Sequence, residues 1–310
     1  MLVVVNPAAH GGRAGRHWPA AHRALHRRHP DAQVSHPSNA AAATAVIHAG
    51  LMSGQDAVIA AGGDGTVNLA LNALMDPATD RPRVPRVCLG AIALGSSNDF
   101  HKPIRAGRTL AGLPARIDME RAHLVDVGKA TIELADGGHT VRYFLLNASL
   151  GLVADGNHLF NNPGPLIKWL KTRNVDVAIT LCALRVITGR QFPRVVTHSA
   201  GWRHVGEVAA VGVLKSVHFA GGMHYDTGVV DNDGMFDVNI WRPAGRVSLL
   251  HTVFELHRGR FSASATAICR RSESLTVRPD RACAVELDGE VLSAVAVRFD
   301  VLPATVKVCA

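Results

Sequence analysis

Through the first third of the chain, short apolar runs alternate with stretches patterned for helix. Leu2–Val5 is an apolar run that ends in Asn6-Pro7, and Arg13–Arg28, rich in Ala, Arg, His and Leu, predicts a helix. Val34 marks a short second strand, and Asn39–Leu51 predicts a second helix. Ala57–Ala60 then predicts a buried strand, Leu69–Leu74 a helix and Val87–Ala93 another buried strand. Strands alternating with helices imply an α/β domain with a doubly wound parallel sheet. Past about Arg121 the texture changes. Thr131–Leu134, Thr140–Asn147, Glu207–Val213, Phe236–Trp241 and Ser274–Val277 read as strands separated by Asp-Gly or Gly-Gly turns, the pattern of an antiparallel β-sandwich. A helical island over Pro165–Thr188 interrupts them. The expected organisation is an α/β domain over residues 1–121, rejoined by about 297–310, and a sandwich over 122–296.

Composition narrows the class without choosing a function. At 310 residues with 47% hydrophobic and 19% charged side chains, the chain has ample material for two cores. No apolar run reaches the roughly 18–20 residues of a membrane span. The N-terminal Met1–Val5 run is too short for a signal sequence and reads as a first strand. Five scattered cysteines without a C-x-x-C pair point to reduced thiols in a cytoplasm and away from structural zinc. The formal charge of +8 begins early, with Arg13, Arg16, Arg23, Arg27 and Arg28 all preceding the first acidic residue. Such a surface suits anionic membranes, polyphosphates or nucleic acids. With 5% aromatics and no nucleic-acid module, nucleic acid is the disfavoured partner.

Three of the predicted strands run into loops of one character. They are Asn6-Pro7-Ala8-Ala9-His10-Gly11-Gly12, Gly62-Gly63-Asp64-Gly65-Thr66 and Gly95-Ser96-Ser97-Asn98-Asp99. In an open parallel sheet the carboxyl ends of strands share one edge, where ligands bind. The middle loop leads into a helix, whose free N–H groups make a natural phosphate seat. Asp64 is the anomaly there, because a carboxylate repels phosphate unless it orients a metal, a water or a neighbouring group. No Walker loop and no G-x-S-x-G elbow is present, which removes the P-loop enzymes and α/β hydrolases.

Two acidic motifs in the second half each allow two readings. Asp231-Asn232-Asp233-Gly234-Met235-Phe236-Asp237 is either a hard-cation site or a hairpin turn with solvated acids. In Glu286-Leu287-Asp288-Gly289-Glu290, Asp288-Gly289 suits a type I′ turn, and Glu290 is either a plain strand-end residue or a general base. The helix over Pro165–Thr188 carries Lys168, Lys171, Arg173 and Arg185 beside its apolar positions. It is either a core helix with a solvated basic face or the mouth of a lipid pocket. His101, His158, His218 and His224 lack metal-ligand spacing.

Taken in order, Val4-Val5-Asn6-Pro7, Gly62–Asn68, Gly95–Phe100, Phe144–Gly151, Asp231–Asp237 and Leu287–Glu290 closely resemble the diacylglycerol kinase catalytic family over nearly the whole chain. The GGDGT block is shared with NAD kinases and 6-phosphofructokinases, and the other motifs narrow the likeness to lipid kinases. The resemblance implies an NAD-kinase-like α/β nucleotide domain, a sandwich carrying a lipid pocket, and ATP and Mg²⁺ as cofactors. It implies that Asn6, Pro7, Ala8, Ala9 and His10, then Gly62, Gly63, Asp64, Gly65, Thr66, Val67 and Asn68, with Ser96, line the nucleotide phosphates. Glu290 would be the base that takes the lipid hydroxyl proton. Asp233 would ligate a structural Mg²⁺ with the carbonyls of Val230 and Met235, and Asp64, Asp99 and Asp126 would form the acidic network linking it to ATP–Mg²⁺. His10 stands where the family usually has glycine, and Ser96 where threonine is common. The expectation is a cytoplasmic kinase that docks peripherally on anionic membrane, with a homodimer as the assembly considered, and phosphorylates diacylglycerol. Sphingosine- or ceramide-type alcohols, an NAD-kinase-like substrate and a catalytically silent lipid-binding regulator are the alternatives.

Overall fold

The structure is a computed structural model and describes residues 1–102, 108–189 and 192–310. The chain divides into two compact units, Met1–Asp126 with Pro303–Ala310, and Val127–Leu302. Both divisions fall inside strands, His123–Glu133 and Ala296–Val308.

The first unit is built on four strands, β1 (Leu2–Val5), β2 (Gln33–Ser35), β3 (Ala57–Gly62) and β4 (Cys88–Ala93). They lie in the order β2-β1-β3-β4, and every pairing is parallel, with Val3 opposite both Val34 and Ile59, and Ile59 opposite Gly90. Lys307 and Val308, at the end of the last strand, add a further parallel pairing to Cys88 and Leu89. Burial on both faces explains the unbroken apolar runs of β1, β3 and β4, since parallel strands covered by helices have no solvent side. On one face Trp18 and Leu25 of α1 (Arg13–Arg28) pack with Val3, Val5 and Ile59. On the other, α2 (Ala40–Met52) brings Gly50 so close to Leu2 that a Cβ there would lie 2.7 Å from its side chain. Asn39 caps α2, its side-chain oxygen accepting the Ala42 N–H at 2.9 Å. The helix expected over Leu69–Leu74 is longer: α3 spans Asp64–Leu74, so the glycine loop contracts to a turn at Gly63.

The second unit is a sandwich of two antiparallel sheets. In chain order its strands are β5 (His123–Glu133), β6 (His139–Phe144), β7 (Asn147–Gly151), β8 (Arg194–Ser199), β9 (Trp202–Glu207), β10 (Ala210–Leu214), β11 (Phe236–Trp241), β12 (Ala267–Ser272), β13 (Ser274–Pro279), β14 (Cys283–Leu287), β15 (Glu290–Ala294) and β16 (Ala296–Val308). One sheet runs β12-β11-β10-β7-β14-β15. The other pairs β9, β8, β13 and β16 in sequence, with β5 and β6 beyond β16. Alternate residues of the two sheets meet in the core, where the Phe144 ring stacks on Phe236 at 5.7 Å and meets Phe299 edge-on at 6.1 Å.

The helical island of the second unit is richer than its sequence suggests. It comprises α4 (Leu152–Asn161), α5 (Pro165–Arg173) and α6 (Val175–Gly189), with Asn174 breaking the single predicted helix in two, and α7 (Arg246–His257) follows β11. Leu152, Val186, Ile187, Leu249 and Val253 cover Ala210, Leu214 and Trp241 on the outer face of the six-stranded sheet. That sheet is therefore buried on both sides, which is why β10 and β11 lack the alternation of a solvent-facing strand.

Candidate functional site

In the first unit the candidate positions are assembled mainly from backbone. Asn6 ends β1; its amide nitrogen donates to the Thr66 hydroxyl at 3.2 Å, and its oxygen accepts the Ala8 N–H at 3.2 Å. One side chain thus ties the first loop to the glycine turn. Pro7 and Ala8 are exposed, and His10, Gly11 and Gly12 all have positive φ as the chain folds into α1. His10 adopts φ 52°, so it occupies the left-handed conformation that glycine takes without strain. Burial and the neighbouring Arg13 and His17 lower its pKa, which keeps the imidazole neutral near pH 7.

The glycine turn and the third loop touch backbone to backbone. A Cβ on Gly95 would lie 2.4 Å from the Gly63 Cα, so no side chain fits there. Asn98 closes its own loop: its side-chain oxygen accepts the Gly95 N–H at 2.9 Å, and its amide donates to the Gly95 carbonyl at 3.0 Å. Asp64, in the first turn of α3, accepts the Phe100 N–H at 3.0 Å. The anomalous carboxylate is therefore an oriented acceptor that fastens one loop to the other. Burial and the neighbouring Asp99 raise its pKa to about 6, against the opposing pull of the Phe100 and Asp99 N–H groups.

The remaining positions of this unit separate. Asp99 is buried and ion-paired to Lys102, and Ser96 is exposed on the same loop. Gly65 is exposed at the start of α3, whereas Thr66, Val67 and Asn68 are buried. Val67 and Asn68 therefore turn into the protein interior, and Asn68 accepts from Asn72 one helical turn on. Asp126 is buried, and its carboxylate accepts the Ala304 N–H at 2.9 Å. Asp64 and Asp99 are neighbours close enough to repel, while Asp126 is held by the last strand.

In the second unit side chains do the assembling. Leu287 pairs with Glu290 across a two-residue loop in which Asp288 (φ 47°) and Gly289 (φ 95°) are both left-handed, the type I′ geometry. Asp288 is also far more than a turn residue. Its buried carboxylate accepts the N–H groups of Leu145, Leu146 and Asn147 at 2.8, 3.0 and 2.9 Å. Glu286, also buried, accepts the Gly289 N–H at 2.5 Å and the Ser149 hydroxyl at 2.8 Å. The Asn161 side chain donates to the Gly289 carbonyl at 2.9 Å. Held from three directions, the turn presents Glu290 exposed to solvent at the start of β15.

Asn161 ends α4, and the same helix lines an apolar cavity. A small, partly open apolar cleft lies among Leu152, Gly156, Phe160, Ile179, Met223 and Trp241. Its walls come from α4, α6, α7 and the outer sheet face, and they are almost wholly apolar. Lys171 reaches back over the Phe160 ring, 3.8 Å from its centroid, and donates to the Phe160 carbonyl at 2.7 Å.

The expected metal ligands also converge, but on a different cation. The Nζ of Lys215 donates to the Val230 carbonyl at 2.8 Å, the Met235 carbonyl at 2.9 Å and the Asp233 carboxylate at 3.2 Å. Arg271 binds the other Asp233 oxygen. Burial alone would raise the Asp233 pKa; the Met235 N–H together with Lys215 and Arg271 outweighs it and holds the carboxyl below its ordinary value. A Mg²⁺ ion does not fit among these oxygens with the ammonium in place. Among the described residues no cluster of three His, Cys, Asp or Glu side chains could hold a metal ion. No motif marks Lys215, Asp288 and Glu286 as assembling residues, because each has partners distant in sequence: the 230–235 turn for Lys215, the 145–147 N–H groups for Asp288 and the Ser149 hydroxyl for Glu286.

Known proteins resemble this chain along its length. A family model of the diacylglycerol kinase catalytic domain matches residues 1–130, and one of the YegS C-terminal NAD kinase beta sandwich-like domain matches 165–310. A probable lipid kinase YegS-like of Pectobacterium atrosepticum is 26% identical over 252 residues, covering 81% of this chain and 77% of the relative. The diacylglycerol kinase of Bacillus subtilis is 26% identical over 235 residues, 76% of this chain and 71% of its own. Among solved structures, a diacylglycerol kinase of Bacillus anthracis has a TM-score of 0.68 at 21% identity, covering 99% of this chain and 95% of that one. Yeast NADH kinase complexed with NADH has a TM-score of 0.51 at 9% identity, covering 100% and 83%. At these identities the solved structures speak for the fold: an NAD-kinase-like α/β unit joined to a β-sandwich.

Proposed function

The chain belongs to the diacylglycerol kinase catalytic-domain family of lipid kinases, and we propose that it transfers the γ-phosphate of ATP to diacylglycerol, giving phosphatidic acid. One observation carries this reading. The turn that presents Glu290 is tied through Asn161 to α4, the helix whose Gly156 and Phe160 line the apolar cavity. A carboxylate and an apolar cleft thus share one support, an arrangement suited to holding a lipid tail while its hydroxyl is deprotonated.

Phosphoryl transfer asks a protein chiefly for positioning and charge neutralisation. Exposed Gly65, in the first turn of α3 and beside the loops that meet at Gly63 and Gly95, would bring the N–H end of that helix to the phosphates. Mg²⁺ arriving bound to the nucleotide would neutralise phosphate charge in such a transfer. Glu290 takes the proton of the attacking hydroxyl and, being exposed, passes it to solvent.

The support for membrane docking is on α5 and α7. Leu166, Trp169, Val247 and Phe254 are exposed, Val247 at 81%, with Arg173 over the Trp169 ring and Arg258 over Phe254. Apolar side chains flanked by cations suit the interface of an anionic bilayer. No helix of the described residues is long and apolar enough to cross one.

Labelled ATP offered with vesicles of diacylglycerol, sphingosine, ceramide or no lipid alcohol, and separately with NAD, tests the assignment. Label in phosphatidic acid that falls as salt rises is the expected result. Label in NAD, with none in any lipid, overturns it.

A further inference from the structure

The family reading leads one to expect a divalent ion at Val230, Asp233 and Met235, and the chemistry of the site argues against one. Lys215 follows β10, whose last residue, Leu214, pairs with Asp237 of β11; this pairing delivers the ammonium to the preceding acidic turn. Its side chain is 1% exposed. An ammonium carries three N–H donors and no acceptor, and three oxygens stand at hydrogen-bond distance around it. Those distances, 2.8 to 3.2 Å, suit an ammonium. Mg²⁺ requires about 2.0–2.1 Å and near-octahedral ligands, so each oxygen would have to close in substantially.

Charge points the same way. Asp233 is held by two cations, Lys215 and Arg271, and buried Asp237 is a second carboxylate beside them. A divalent ion added to this group would lie beside both the Lys215 ammonium and the Arg271 guanidinium, and like charges at that range repel. The Asp233 Oδ1 also accepts the Met235 N–H at 3.0 Å, which closes the turn on itself.

We propose that Lys215 replaces the structural divalent ion of this site, its tethered ammonium holding the Val230–Met235 turn in shape so that the second unit is stable with no metal bound. The expectation of an ion rests on the family reading, and the replacement rests on the geometry.

The test uses full-length protein free of nucleotide and lipid, so its outcome is independent of the kinase assignment. Wild type is treated with EDTA, its metal content measured, and its Tm followed as MgCl₂ or MnCl₂ is added. The expected result is well under one divalent ion per chain and a Tm indifferent to chelator and ion alike. Lys215→Ala opens the oxygen cluster; its Tm is expected to fall by roughly 5–10 °C and to recover at least half the loss in millimolar Mg²⁺ or Mn²⁺. Lys215→Met, which keeps the bulk of the stem without the charge, is expected to fall without recovering. One tightly held divalent ion per wild-type chain, or a wild-type Tm that drops in EDTA, overturns the replacement. A folded Lys215→Ala protein that ignores divalent ions also overturns it. Should Lys215→Ala fail to fold, the wild-type arm decides alone.

Discussion

The two units hold their candidate chemistry by different means. In the first, two loops meet backbone to backbone, Gly63 against Gly95, and the short Asp64 side chain only fastens that contact to the N–H of Phe100. In the second, buried side chains reach across strands, with Asp288 gathering three N–H groups and Lys215 gathering three oxygens. Backbone surfaces are cheap in charge and intolerant of bulk. Side-chain hubs tolerate bulk around them and concentrate the cost in a single group, because its removal leaves several buried partners unsatisfied. The difference teaches where each unit is fragile: glycines in one, single ionic residues in the other.

The largest expected effect falls on the hub. Asp288→Ala leaves the N–H groups of Leu145, Leu146 and Asn147 without their acceptor, at roughly 3–6 kcal/mol. Chemical denaturation should show this loss in the sandwich, with Asp288→Asn between the variant and wild type. A loss under about 1 kcal/mol would mean that the hub is decorative and the contrast between units is misplaced.

Gly95→Ala should come next. Its Cβ would lie 2.4 Å from the Gly63 Cα, and relief requires the two loops to part, at about 1–3 kcal/mol. ATP binding, measured by calorimetry, should weaken more than stability does, since the displaced backbone is the proposed phosphate seat. Unchanged nucleotide affinity would break the backbone half of the contrast.

Of similar size on stability but opposite sign is the effect at Asp64. Its pKa is raised to about 6 in the folded protein from 3.8, so between roughly pH 4 and 6 the folded state binds the extra proton. Stability is therefore greatest below this window and falls as pH rises through it. Asp64→Asn keeps an oxygen for the Phe100 N–H without the charge. It should gain about 1–3 kcal/mol near pH 7 and flatten the profile between pH 4 and 6. A parallel profile for variant and wild type would show that another group produces the slope.

The same contrast explains what could be read in the sequence. The α/β unit and the sandwich were legible because apolar runs, glycine density and Asp-Gly turns are local signals. Parallel strands buried on both faces leave uninterrupted runs such as Ala57–Gly62. The second unit's hubs were not legible. Lys215 ends an apolar strand and looks like a solvated cation until β10 and β11 pair. Asp288 reads as turn chemistry, which it also is, and nothing nearby announces that its carboxylate serves residues 145–147. α4 and α7 were hidden for a related reason: Gly156 lowers the helix propensity of one, and exposed Val247 and Phe254 blur the amphipathic period of the other. The division between units lies within β5 and β16, where no linker composition marks it.

Glu290 is where the fragility of side chains can be separated from their chemistry, because it is exposed and its turn is held by its neighbours. The most direct measurement is kcat for Glu290→Gln on diacylglycerol vesicles, with Tm and ATP affinity determined on the same preparation. A general base predicts a loss of about 100-fold or more in kcat, with Tm within about 1 °C of wild type and ATP affinity unchanged. A variant that retains kcat within about threefold of wild type would contradict it.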